Sequence, residues 1–155
     1  RLDPEGPQFP ADPENRPDLF PEGQYKFPSS AGDKFDTQAP TYLWLKKLAG
    51  LRKAHPALSR GEQHVRWSDP SGPGIYAFSR IYKGEEVLVV LNTATETRSA
   101  DMWVEDDLTP AGTELVDALE PGNKTKTYAS QAGGVKVWVQ VPPHGVRVFV
   151  RAQIK

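Results

Sequence analysis

The chain has 155 residues, 19 basic and 20 acidic side chains, a net charge of −1 and no cysteine. That length leaves room for one domain, or one domain with an appendage. The balanced charge gives no argument for nucleic acid, whose readers usually carry a basic patch. The missing cysteine excludes structural disulfides, a thiolate nucleophile and Cys-ligated zinc. No apolar run approaches the roughly 18 residues of a membrane span. The start at Arg1 rather than Met predicts a fragment or a processed chain and leaves an upstream signal peptide open. The compartment stays open between bacterial cytoplasm and export.

Residues 1–38 are dense in proline. Pro4, Pro7, Pro10, Pro13, Pro17, Pro21 and Pro28 recur too often for a helix or a central strand. Embedded aromatics (Phe9, Phe20, Tyr25, Phe27) predict packing against a surface outside this chain. A helix is expected from Pro40, whose missing N–H costs nothing in a first turn. Asp36 and Thr37 precede it as acid and cap. Trp44, Leu45, Leu48 and Leu51 share one face at 3/4 spacing, and Arg52 and Lys53 suit the negative end of the helix dipole. His55-Pro56 ends the helix, because a residue before proline avoids the α region.

From Gly61 the hydrophobic period becomes two. Strands are predicted at 74–80, 85–92, 135–141 and 145–151, with weaker ones at 62–67, 98–104 and 113–119. Val87, Val89 and Leu91 alternate with Leu88 and Val90, so 85–92 is expected to lie centrally with both faces covered. Turns are expected at 68–74 and 120–124, and a Pro-Pro corner at 141–145. The pattern predicts a mainly β fold: an antiparallel Greek-key sandwich of about seven or eight strands, preceded by an irregular Pro-rich segment and one helix. The division falls at 1–58 and 59–155.

Little in this pattern carries chemistry. His55, His64 and His144 have no metal-binding partner at helical spacing and are expected at the surface or in corners. No nucleophile elbow, P-loop or dinucleotide fingerprint occurs. No metal or cofactor is expected. Glu85-Glu86 and Asp106-Asp107 are read as solvated pairs. Asp12 and Arg16, four apart in a loop, pair an acceptor with a planar donor fork and so suit vicinal sugar hydroxyls. Spacing alone favours a plain salt bridge there. Trp138 alternates with Lys136 and Gln140 on the wetter face of its strand and offers a flat platform for a sugar ring. The plainer alternative is packing between sheets or domains.

The stretch GDKFDTQAPTYLWLKKLAGLRKAHPALSRG (32–61) resembles the last barrel helix and exit segment of family 13 glycoside hydrolases, the α-amylase family. GIYAFSRIYKGEEVLVVLNTATE (74–96) and VPPHGVRVFV (141–150) resemble hairpins of that family's C-terminal β-sandwich, domain C. DPENRPDLFPEGQY (12–25) resembles the loop after its last catalytic motif. The resemblance implies the end of a (β/α)8 barrel followed by domain C. It implies a parent that cleaves α-glucans or maltooligosaccharides by a retaining mechanism, with two carboxylates about 5–5.5 Å apart. The catalytic acids would lie upstream of Arg1, so no catalytic residue is assigned here and the chain alone is expected to be inactive. Asp12 and Arg16 would contact substrate. Trp44, Leu48 and Leu51 would pack on the absent barrel. A non-catalytic carbohydrate-binding sandwich using Trp138 is the alternative, and an Ig-like interaction domain a third.

Overall fold

The computed structural model describes residues 36–152. Helix α1 runs from Pro40 to Ala54, and a single turn, α2, from Ala57 to Arg60. The backbone N–H groups of Gln38 and Ala39 bond the side chain and carbonyl of Asp36, which fixes the entry to α1. The chain parts into two compact units between Lys47 and Leu48, within α1. In the first, Leu43, Trp44 and Leu45 are exposed. No described helix is long and apolar enough to cross a membrane.

The second unit is an antiparallel sandwich with nine strands among the described residues. They are β1 (Glu62–Ser68), β2 (Ile75–Tyr82), β3 (Glu85–Asn92), β4 (Arg98–Trp103), β5 (Glu114–Asp117), β6 (Lys124–Lys126), β7 (Tyr128–Ala129), β8 (Val135–Val141) and β9 (Val146–Arg151). A six-stranded sheet has the order β1-β2-β3-β9-β5-β6, and a three-stranded sheet the order β4-β8-β7. The four strongest strands fall where the period-two pattern puts them. β6 and β7 are additions, too short and too polar to stand out in sequence.

Two apolar clusters lie on opposite faces of the large sheet. Between the sheets, Ile75, Leu88, Val90, Met102, Val137 and Phe149 belong to one core. On the other face, Val87, Val89 and Val148 pack with Ala57 and Leu119, and Leu48, Leu51 and Leu58 cover them. The central strand expected at 85–92 is β3, which alternates its side chains between these two clusters. Leu48 and Leu51, expected to face an absent barrel, are partly buried and pack at least in part on this chain's own sheet. Val87 and Val89 need cover, and the second half of α1 supplies it. Trp44 remains exposed.

The turns follow the backbone chemistry of their residues. β2 and β3 pair Tyr82 with Glu85, which leaves a two-residue loop. Lys83 and Gly84 both have positive φ, 48° and 81°, as a type I′ hairpin requires. Gly61 closes α2 by donating to the Ala57 carbonyl. A Cβ there would lie 2.5 Å from that oxygen and 2.8 Å from the Ile81 carbonyl, so no other residue fits without displacing backbone. Buried Asn92 donates through Nδ2 to the carbonyls of Glu96, Val141 and Pro142. It thereby ties together the two places where the chain crosses between sheets.

Candidate functional site

Period-two alternation sends the side chains of each strand to opposite faces. In β8, Val135, Val137, Val139 and Val141 are buried, which turns Lys136, Trp138 and Gln140 outward. In β4, Ala100 and Met102 face the core, which turns Ser99, Asp101 and Trp103 outward. Register places Trp103 opposite Lys136 and Asp101 opposite Trp138, while Tyr128 of β7 lies opposite Lys136 on the other side. The outer face of the small sheet thus gathers three large rings around a few polar groups. Trp138 is 50% exposed, Tyr128 41% and Trp103 37%.

These side chains are held in place. The Lys136 ammonium lies 4.3 Å from the centre of the Trp103 ring, within cation–π range. Gly134, at φ +70°, lies beside the same indole, and a Cβ there would approach Trp103 Cζ3 to 3.1 Å. The Tyr128 hydroxyl donates to Asp101 Oδ1 at 2.5 Å. By register that bond reaches across β8, between Lys136 and Trp138. The hydrogen bond to Asp101 is the main reason the Tyr128 phenol titrates above its ordinary 10.0. The Thr125 hydroxyl donates to the Trp138 carbonyl at 2.9 Å, anchoring the middle strand under the exposed indole.

One of the two acidic pairs departs from expectation. Adjacent residues of a strand point apart, and here that sends the two glutamates of β3 into different surroundings. Glu86 follows Leu88 and Val90 toward the inter-sheet core, and its side chain is only 2% exposed. It accepts from the Ser79 hydroxyl at 2.5 Å, the Thr109 hydroxyl at 2.6 Å, the Glu105 N–H at 3.1 Å and Arg66 Nη2 at 3.2 Å. Arg66 also donates to Glu105 at 3.0 Å. The solvated reading of Glu86 is therefore corrected: buried donors surround it and occupy its lone pairs, so it is a structural hub without capacity for substrate. Glu85 follows Val87 to the helix side, where it pairs with His55 Nδ1 at 2.7 Å and accepts the Ala57 N–H at 3.2 Å. His55 is thus a partly buried partner rather than a surface residue, and it locks the end of α1 to β3. Asp106 and Asp107 are exposed, and Asp106 accepts the Val135 N–H.

Among the described residues no group of three or more acidic, histidine or cysteine side chains is placed to hold a metal. A small groove is lined by Asp69, Pro70, Ser71, Pro73 and Arg98, but the Asp69 carboxylate is already occupied by Trp67 Nε1 and the Ile75 N–H. Of the residues singled out in sequence, Trp138 stands on the outer sheet face, and Asp12 and Arg16 lie outside the described residues. Sequence reasoning missed Asp101. The alternation of Ser99, Asp101 and Trp103 marks it as outward, but only strand pairing shows that it meets Tyr128 and Trp138.

No protein-family model matches the chain. An alpha-amylase of Streptomyces lividans is 47% identical over 68 residues, which span 43% of this chain and 7% of that protein. A cyclomaltodextrin glucanotransferase of Thermoanaerobacterium thermosulfurigenes is 30% identical over 117 residues, 69% of this chain and 16% of that protein. The chain therefore spans a small part of the curated relatives it matches. In fold it is similar to CldA, a cyclomaltodextrin glucanotransferase with a three-domain ABC distribution. That match has a TM-score of 0.63 and 22% identity, and it covers 81% of this chain and 25% of CldA.

Proposed function

We propose a role for a chain that belongs to the α-amylase family of glycoside hydrolases: it is the part of an α-glucan-acting glycosidase that comprises the end of the catalytic barrel and the domain C that follows it. It steadies that barrel and supplies no catalytic acid of its own. The observation that carries this reading is the junction between helix and sandwich. Leu43, Trp44 and Leu45 are exposed in the first half of α1. The second half and the Leu-Arg-Lys-Ala-His-Pro-Ala-Leu segment that leads out of it are locked to the sandwich through Leu48, Leu51 and the His55–Glu85 pair. An exposed tryptophan flanked by leucines is apolar surface that a neighbouring domain would cover. In this reading the barrel takes that position.

The chemistry would be retaining hydrolysis or transfer, one carboxylate acting as nucleophile and a second as acid and then base, about 5–5.5 Å apart. Both belong to the barrel. Asp12 and Arg16 would hold sugar hydroxyls at one end of the cleft, Arg as a forked donor and Asp as acceptor. Purified alone, the chain is expected to release no reducing sugar from starch or maltooligosaccharides. Release above a buffer control would overturn this division of labour. Grafted in place of the corresponding portion of the Thermoanaerobacterium relative, it is expected to support activity. In that chimera Asp12→Ala and Arg16→Ala would each lower kcat/KM by about ten- to hundredfold, the scale of a lost charge-assisted hydrogen bond. A second reading, a non-catalytic carbohydrate-binding sandwich, is favoured by the exposure of Trp138.

A further inference from the structure

We propose that the outer face of the three-stranded sheet is a surface site for a neutral α-glucan chain, with Trp138 as stacking platform and Asp101, Tyr128 and Gln140 as its hydrogen-bonding rim. The choice of an α-glucan rests on the functional reading above; the choice of a sugar rests on the face itself. Its outward positions are aromatic or polar, with no aliphatic side chain among the described residues. Pyranose rings present apolar C–H faces and a belt of hydroxyls, so they need flat rings flanked by donors and acceptors.

Charge and composition separate this occupant from the others. Asp101 and Lys136 cancel, so the face offers no field to an anionic polymer or a nucleic acid. A protein–protein interface core is depleted in Asp and Lys. Here both stand in the middle of the aromatic group, each opposite an indole-bearing position. The two indoles have different tasks. Trp103 is held between Lys136 and Gly134 and forms a fixed wall. Trp138 is the more exposed of the two. It sits diagonally from both Trp103 and Tyr128, positions whose Cβ atoms lie about 7–8 Å apart across such a sheet. One bound chain can therefore lie on Trp138 and touch the others. The Tyr128–Asp101 bond fixes the phenol and carboxylate before sugar arrives, which reduces the ordering cost of binding.

Isothermal titration of the chain with maltoheptaose and, separately, cellohexaose tests this. Saturable binding of maltoheptaose is expected, weakened about tenfold or more by Trp138→Ala, the scale of one lost stacking contact. Tyr128→Phe should weaken it less, and His64→Ala, on the large sheet, not at all. Unchanged circular dichroism establishes that each variant is folded. Absence of binding to either sugar overturns the surface site and leaves the family-based function standing. Trp138-dependent binding of cellohexaose without maltoheptaose overturns the α-glucan assignment and the functional reading with it. Equal weakening by His64→Ala, or self-association that Trp138→Ala abolishes, would overturn the site in favour of non-specific binding or a dimer face.

Discussion

The two sheets of the sandwich are built for different tasks. The centre of the six-stranded sheet is covered on both faces, by the small sheet on one side and by the end of α1 with α2 on the other. The three-stranded sheet is covered on one face and presents rings and polar groups on the other. A fold of this kind holds its stability in the first sheet and its free chemistry in the second. The same alternation in sequence that fills both faces of β3 with valine and leucine fills one face of β8 with valine and leaves Trp138 outside.

Substitutions should separate the two sheets by the quantity each one moves. Glu86→Ala removes the shared acceptor of Arg66, Ser79, Thr109 and the Glu105 N–H. Breaking a buried ion pair on one side costs about 3–5 kcal/mol, and urea unfolding should show a loss of that size. Leu88→Ala opens a cavity between the sheets, with an expected loss of about 2–5 kcal/mol in the same measurement. Trp138→Ala should change stability by about 0.5 kcal/mol or less, because its ring lies outside the core, while sugar affinity falls. A loss of stability as large as that of Leu88→Ala would erase the distinction between covered and free faces.

The smallest effect is a titration. The Asp101 bond favours the neutral Tyr128 phenol and raises its pKa. The bond is therefore intact below the ordinary value of 10.0 and fades as pH rises through the higher folded-state value. Ultraviolet titration should show one tyrosine ionising late, and Asp101→Asn should bring it back. A late tyrosine that persists in that variant would remove Asp101 as the cause.

What was legible in sequence follows from how local each signal is. Val87, Val89, Leu88 and Val90 mark a doubly covered strand within a few residues, and VKVWVQV marks its inner and outer faces by itself. Glu86 is different. Its partners Ser79, Arg66 and Thr109 lie 7, 20 and 23 residues away, and nothing near Glu85-Glu86 announces them. Pairing across strands likewise decides that Asp101 meets Tyr128, 27 residues on. The apolar stripe of α1 was readable as a stripe, but its partner was not. Leu48 and Leu51 bury part of their surface on this chain's own sheet, which only the packing of Val87 and Val89 reveals.

The position of β9 has a consequence for synthesis. It is the last of the described strands, yet it lies between β3 and β5 in the large sheet and bonds to both. Until Val146–Arg151 has left the ribosome, β1-β2-β3 and β5-β6 are two separate ladders, each with an open row of backbone donors and acceptors. A nascent or truncated chain ending before Val146 carries both bare edges at once, the arrangement most prone to pairing with another copy. Among the described strands, the one made last joins two assemblies with bare inner edges into one continuous sheet.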